Sequence, residues 1–261
     1  MVVMHLRCLL VAAFLYSALA FCQKPEYDFY TEFRNTWNPR VRAESPSVTN
    51  QEIAEKYAAR LKGEGVADGE IARRIRLIET ERPLMEADYY NRVYTQGKAN
   101  YNKEPNGFLM QMVEGRRPGA ALDYGMGDGR NALYLAKLGW HVWGFDPADA
   151  AVALAQKRAE ELGFTLNTAA VRDSDYEFGK ERFDIVLFSW TMPLIPVQKV
   201  IDSMKRGGIV VMECAADFVG RNEMLKMFDA LRIVRYEIVV AKADFYDRRE
   251  TDVLRLVAIK Q

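Results

Sequence analysis

Cysteine and histidine are nearly missing from this chain. Among 261 residues there are three cysteines, at 8, 22 and 214, and two histidines, His5 and His141. No Cys-x-x-Cys pair or Cys/His ligand set exists, which excludes a structural zinc and predicts no metal site. A surplus of charge is missing too. Lys plus Arg and Asp plus Glu both total 36, which removes the bulk electrostatic case for a nucleic-acid partner. Long apolar runs are also lacking. The largely apolar run that ends at Ala20 has roughly a dozen residues, short of the about twenty that a membrane span needs.

What the first residues do contain is a leader pattern. Arg7 makes the start basic, Cys8 to Leu15 is strongly apolar, and Ala18-Leu19-Ala20 fits a signal-peptidase site. A signal peptide over 1–20 is the expectation. It would engage the secretion machinery and make the protein exported or membrane-associated. An uncleaved anchor and a misassigned start codon are the open alternatives. Phe21 before Cys22 speaks against a lipoprotein signal, which wants a small residue there.

The chain is organised around Ala121-Leu-Asp-Tyr-Gly-Met-Gly-Asp-Gly-Arg-Asn131. Apolar residues lead to Asp123, glycines follow at 125, 127 and 129, and a helical pattern begins near Asn131. Glycines in such a loop permit positive φ and close backbone approach, and the helix start leaves N–H groups free. A dinucleotide fingerprint would need a third small residue where Arg130 stands, so a nicotinamide-dependent oxidoreductase is disfavoured.

Before the loop, Thr49-Asn-Gln-Glu52 is a capping box opening a helix with Ile53, Tyr57 and Leu61, and Gly63 ends it. A second helix starts near Asp68 with Ile71, Ile75 and Ile78 on one face. Arg73, Arg74 and Arg76 read as its solvated face. Ala43 to Ser47 reads as a linker. The stretch from Tyr89 to Phe108 is dense in aromatics and amides. It reads equally as a lid over a ligand, or as a helix on which Tyr90 and Tyr94 merely pack. A helix follows from Pro105 to Glu114.

After Gly119 strand and helix alternate, which predicts a parallel sheet covered on both faces. Strands are expected at Ala120–Tyr124, Trp140–Phe145, Leu166–Val171, Phe183–Phe188 and Ile209–Cys214, with helices after the first two, and a further helix over Arg221–Leu231. Ile233–Val240 and Thr251–Ala258 have no helix between them and should pair antiparallel. Asp146 ends the second strand, about twenty residues after the loop, where a carboxylate suits a ribose diol. Trp190 and Met192 follow the fourth strand, at the edge where such sheets bind ligands.

Residues 105–261 resemble a class I S-adenosylmethionine-dependent methyltransferase domain. The likeness is carried by Asp-x-Gly-x-Gly-x-Gly from 123 to 129, Asp146, Asp173 after the third strand, Phe183-Asp-Ile-Val186 and the Gly207-Gly208 turn. More narrowly, Lys103-Glu-Pro-Asn106, Gly129-Arg-Asn-Ala132 and Leu138-Gly-Trp140 are similar to tellurite-resistance-type and thiopurine-type small-molecule methyltransferases. The resemblance implies an α/β, Rossmann-like sheet of seven strands, mostly parallel with an antiparallel last strand. A short helical extension over 21–104 would precede it. It implies S-adenosyl-L-methionine as cofactor and an enzyme transferring a methyl group by in-line displacement to a small-molecule acceptor. Asp123, Gly125, Gly127 and Gly129 would face the methionine portion, Asp146 the ribose diol, and Asp173 the adenine amino group with Ser174 beside it. Loop capping is the plain alternative for each aspartate. Met126 stands where relatives often carry cysteine. A protein that binds the cofactor without turnover remains the alternative function. A cytosolic cofactor also sits awkwardly with a leader, which keeps a cytoplasmic location open.

No catalytic residue is assigned. A thiolate or selenide acceptor needs no base, whereas an alcohol or phenol usually does. His141 begins the second strand, away from the carboxyl ends, and reads as structural. Cys214 has no histidine partner and reads as a small buried apolar residue. Tyr89, Tyr90, Tyr94 and Trp190 read as pocket walls.

Overall fold

A computed structural model describes residues 25–45, 48–96, 101–193, 195–216, 219, 222–245 and 250–261. The leader expected over 1–20 lies outside the described residues, as do Cys8, Cys22 and Arg221. The chain divides into two compact units, residues 1–92 and 93–261.

The described part of the first unit is helical. Asp28–Glu32 (α1) runs through a π-helical turn, Phe33–Trp37, into Asn38–Glu44 (α2). The expected linker therefore begins later than Ala43, because the helix continues to Glu44. Asn50–Gly63 (α3) opens on the capping box: the Thr49 hydroxyl accepts from the Glu52 N–H, and the Glu52 carboxylate accepts from the Thr49 N–H. Asp68–Thr80 (α4) and Arg82–Thr95 (α5) follow. Tyr27, Tyr30, Phe33, Ile53, Tyr57, Leu61, Leu77 and Met85 are buried. Their polar tips are served at the rim: the Tyr27 hydroxyl donates to Glu81 and that of Tyr30 to Glu86, both at 2.6 Å, so ring burial leaves no hydroxyl stranded. Arg73 and Arg74 are not simply solvated. Both close on Glu70 at 2.7 Å and are partly buried.

The second unit is an α/β domain. Its strands are Ala120–Tyr124 (β1), His141–Asp146 (β2), Leu166–Ala170 (β3), Phe183–Ser189 (β4), Met204–Ala215 (β5), Arg232–Lys242 (β6) and Glu250–Ile259 (β7). The sheet order is β3-β2-β1-β4-β5-β7-β6. β1 to β5 pair in parallel, and β7 is antiparallel to both neighbours. The helices are Gly107–Val113 (α6), Arg130–Lys137 (α7), Asp149–Leu162 (α8), Gln198–Ser203 (α9) and Glu223–Met227 (α10). The expected Arg221–Leu231 helix is thus shorter, and Phe228 and Leu231 are buried beyond its end.

Alternation along the strands divides the core into two layers. Leu122, Tyr124, Val186, Phe188, Val210 and Met212 join one cluster with Val200, Met224 and Phe228. Ala121, Ile185, Leu187, Ile209 and Val211 join the other, with Phe108 and Leu109 of α6 and Ala132 and Leu135 of α7. Strands covered on both faces leave ligands the carboxyl edge of the sheet.

Candidate functional site

At that edge β1 ends and the glycine loop begins. Gly125, Gly127 and Gly129 have φ of +64°, +55° and +78°, a region that a side chain disfavours. Space forbids side chains as well. A Cβ on Gly129 would stand 2.8 Å from the Ala155 Cβ of α8, and one on Gly127 would stand 2.5 Å from the Tyr94 hydroxyl. Close helix packing is therefore served by Gly129, one residue before Arg130. The Met126 side chain turns inward over Gly144 of β2 and joins Val152 and Ala155.

The sheet order brings the strand-end aspartates onto neighbouring strands. Asp123 is 1% exposed. The Ala132 N–H hydrogen-bonds its carboxylate, but its buried Oδ2 has no partner among the described residues. Burial pushes this carboxyl up to about 7, against the opposing pull of the Arg130 guanidinium and the Ala132 N–H. Asp146 accepts the Gly127 N–H at 2.9 Å on Oδ2 and the Ala148 N–H at 2.8 Å on Oδ1. It caps the loop, and each oxygen keeps a second lone pair for a ligand. Burial raises it to about 6, opposed by the same two N–H groups. Asp173 takes the Tyr124 hydroxyl from the end of β1 and the Ser174 N–H at 2.9 Å. Ser174 is exposed and donates to Asp175 at 3.0 Å. Asp128 is buried and pairs with Arg158 of α8.

Beside the carboxylates lies a polar network that sequence reasoning missed. Asn106 caps α6 with its Oδ1 on the Leu109 N–H, and its Nδ2 donates to Glu213 and Asp244, both at 2.7 Å. Its own N–H goes to Asn131 at 2.8 Å. Glu213, 3% exposed, also accepts from Arg255 at 2.7 Å. Arg130 stands at the first position of α7, where the helix dipole disfavours a cation. Asp244 at 2.7 Å and the Glu104 carbonyl at 2.8 Å offset that. A weaker contact reaches Ser189 at 3.3 Å. The available signal was a large polar residue following a glycine loop, which has no reason to be there unless it is held.

Two walls flank the glycine loop. One is the exit of β4: Trp190 has φ +61°, its N–H donates to the Glu213 carbonyl at 2.8 Å, and Thr191 Oγ1 lies 3.0 Å from a Cβ position on Gly125. The other is aromatic. Tyr94 meets Tyr101 with ring centroids 5.1 Å apart, and Tyr101 stacks on Phe245 at 5.9 Å. Burial first, then the Asp128 carboxylate, pushes the Tyr101 hydroxyl up to about 12. His141 is exposed at the opposite end of β2, so it is neither a base for this site nor a packing residue. Cys214 is buried within the sheet.

Residues 121–207 match the family model described as a methyltransferase domain. A curated relative, the 2-heptyl-1-hydroxyquinolin-4(1H)-one methyltransferase of Mycobacteroides abscessus, is 34% identical over 97 residues, covering 36% of this chain and 43% of that protein. The chain therefore spans less than half the length of that relative. TehB from Haemophilus influenzae superposes with a TM-score of 0.51 at 18% identity, over 66% of this chain and 67% of its own. The [4+2]-cyclase SpnF superposes with a TM-score of 0.55 at 14% identity, over 67% and 95%. These two likenesses are of fold alone.

Proposed function

From a chain that carries a class I S-adenosylmethionine-dependent methyltransferase domain, we propose a whole protein that methylates a small-molecule acceptor. One observation carries the reading. A buried carboxylate oxygen of Asp123 has no partner among the described residues, beside a loop whose three glycines all have positive φ. An unpartnered buried acceptor is costly, and the α-ammonium of the cofactor is the group that would satisfy it. In this reading the glycine loop cradles the methionine portion, Asp146 takes the ribose diol on its free lone pairs, and Asp173 with Ser174 faces the adenine amino group.

The cofactor supplies a methyl group already activated by its sulfonium. The residues of the chain orient it and hold the acceptor in line, which by itself lowers the barrier substantially. No side-chain base is assigned, which favours acceptors that are nucleophilic without one. The balanced charge, 36 basic against 36 acidic residues, and the name of the curated relative support a small molecule over a polymer. We further read residues 21–104 as an extension to a domain over 105–261. Residues 1–20 we read as an export signal, testable by N-terminal sequencing of the protein recovered outside the producing cell.

Calorimetric titration of the full chain with S-adenosylhomocysteine tests the core of this reading. Saturable binding is expected, weakened at least about tenfold in Asp146→Ala, which loses charge-assisted hydrogen bonds. No binding by folded wild-type protein would overturn it. Binding without methyl transfer to any thiol, chalcogenide, phenol or amine would leave a cofactor-binding protein instead.

A further inference from the structure

Among the described residues the sheet has two outer strands, β3 and β6, and they differ. β3 is five residues long and largely small or polar, Leu166-Asn-Thr-Ala-Ala170. β6 runs eleven residues, none of them buried, beside β7, where Val253, Leu254, Leu256, Val257 and Ala258 all are. Along β6, Val234, Ile238 and Val240 are 48%, 53% and 72% exposed. A long outer strand offers a row of backbone donors and acceptors to another strand, so charges and bulges commonly restrict what can pair there. Both devices stand on β6. A bulge lies between Ile233 and Arg235, and Arg235 pairs with Glu237 at 2.6 Å. These charges have fixed places: the Arg235 guanidinium lies 5.0 Å from the centre of the Phe108 ring, and Arg255 lies 5.3 Å from the same centre and 3.8 Å from Glu237.

We propose that β6 is a homodimer interface: it pairs antiparallel with β6 of a second copy of this chain, about a two-fold axis at Tyr236. Such an axis makes the contact self-complementary and sets one residue opposite itself. With the axis at Tyr236, Arg235 faces Glu237 of the copy and Glu237 faces Arg235, so both contacts join opposite charges. Val234 faces Ile238 of the copy, twice, and Val240 faces the aliphatic stem of Arg232. Moving the axis by one residue sets Arg235 against Arg235 or Glu237 against Glu237, which is unfavourable. Moving it on to Ile238 leaves Arg235 facing Ala241 and Glu237 facing Val239, with no charge matched. The pattern of charge therefore selects one register, and in that register the exposed aliphatic side chains leave water. The inference goes beyond the methyltransferase reading and does not depend on it.

The test is the mass of the full chain in solution, read by light scattering after size exclusion at about 100 µM, because pairing along one strand makes a small interface. A dimer is expected. Arg235→Glu and Glu237→Arg should each weaken it at least about tenfold, since each turns both contacts into like-charge pairs. Mixed in equal amounts, the two variants should form a heterodimer, because the acidic edge of one then faces the basic edge of the other. That recovery would also show that both variants are folded. Tyr236→Cys, in a chain that also carries Cys8→Ser and Cys22→Ser, reads the register without changing a charge: oxidation should join two copies through position 236. A wild-type monomer, a dimer that neither charge substitution weakens, folded variants that do not recombine, or no cross-link at position 236 would each overturn the proposal.

Discussion

Two groups of buried and half-buried polar residues sit side by side at the carboxyl edge of the sheet, and they are finished to different degrees. Around Asn106, Glu213, Arg255, Arg130 and Asp244, every charged group faces an opposite charge at 2.7 Å, and Arg130 also donates to the Glu104 carbonyl at 2.8 Å. At the glycine loop, Asp123 keeps an oxygen with no partner among the described residues, and burial raises both Asp123 and Asp146. Burial is common to both groups, so burial does not separate scaffold from site. Satisfaction does. The network closes on itself, whereas Asp123 at the loop keeps an oxygen with no partner among the described residues.

The comparison breaks most sharply at Glu213. Glu213→Ala leaves the Arg255 guanidinium and the Asn106 amide short of a partner, and should cost about 3–5 kcal/mol of stability, read as a lowered denaturant midpoint. A loss below about 1 kcal/mol would mean that the network is not structural. Asp123→Asn should act the other way. Cofactor-product affinity should fall about ten- to a hundredfold, as for a lost hydrogen bond between charged groups. Folding stability above pH 7 should hold or rise, since a buried charge is removed. A drop in stability equal to that of Glu213→Ala would erase the distinction.

Acidity sharpens it further. The folded pKa of Asp123, about 7, and of Asp146, about 6, both lie above their ordinary value of 3.8. Their contribution to stability is therefore present below the ordinary value and is lost as pH rises through about 6 to 7. Binding of a cationic ammonium runs in the opposite sense, because it needs Asp123 ionised. Affinity for S-adenosylhomocysteine should fall as pH drops below about 7, by up to about tenfold per pH unit, and flatten in Asp123→Asn. Calorimetry between pH 5.5 and about 8 checks both slopes. The smallest effect is expected at Ser189, whose contact with Arg130 is 3.3 Å long. Ser189→Ala should cost under about 1 kcal/mol, as Arg130 keeps Asp244 and the Glu104 carbonyl.

Local signals carried much of the domain. The apolar run before Asp123 and the glycines after it mark β1, the loop and α7 within a residue or so, because both the strand and the glycine torsions are local properties. The capping box at Thr49 is local too, its partners three residues apart. Harder to read was the helical stretch at 28–44. Tyr27, Tyr30, Phe33 and Val41 do recur at near-helical intervals, but three prolines nearby and a π-helical turn blur the period. His141 illustrates the other limit: scarcity made it conspicuous, yet its exposure follows from the end of the strand on which it stands.

The sequence by itself determined the order of the seven strands, the antiparallel end of the sheet, and the aspartates that follow successive strands, but not the helix Gln198–Ser203 between β4 and β5. Periodicity, glycine and the lack of a helix between β6 and β7 act over a few residues and are legible wherever they occur. Only the tertiary structure decided which polar groups are satisfied. Asn106 finds Glu213 across 107 residues and Arg130 finds Asp244 across 114. Such partners are chosen by how the sheet packs, and that an oxygen of Asp123 is left without one among the described residues is visible only after packing has placed their donors and acceptors.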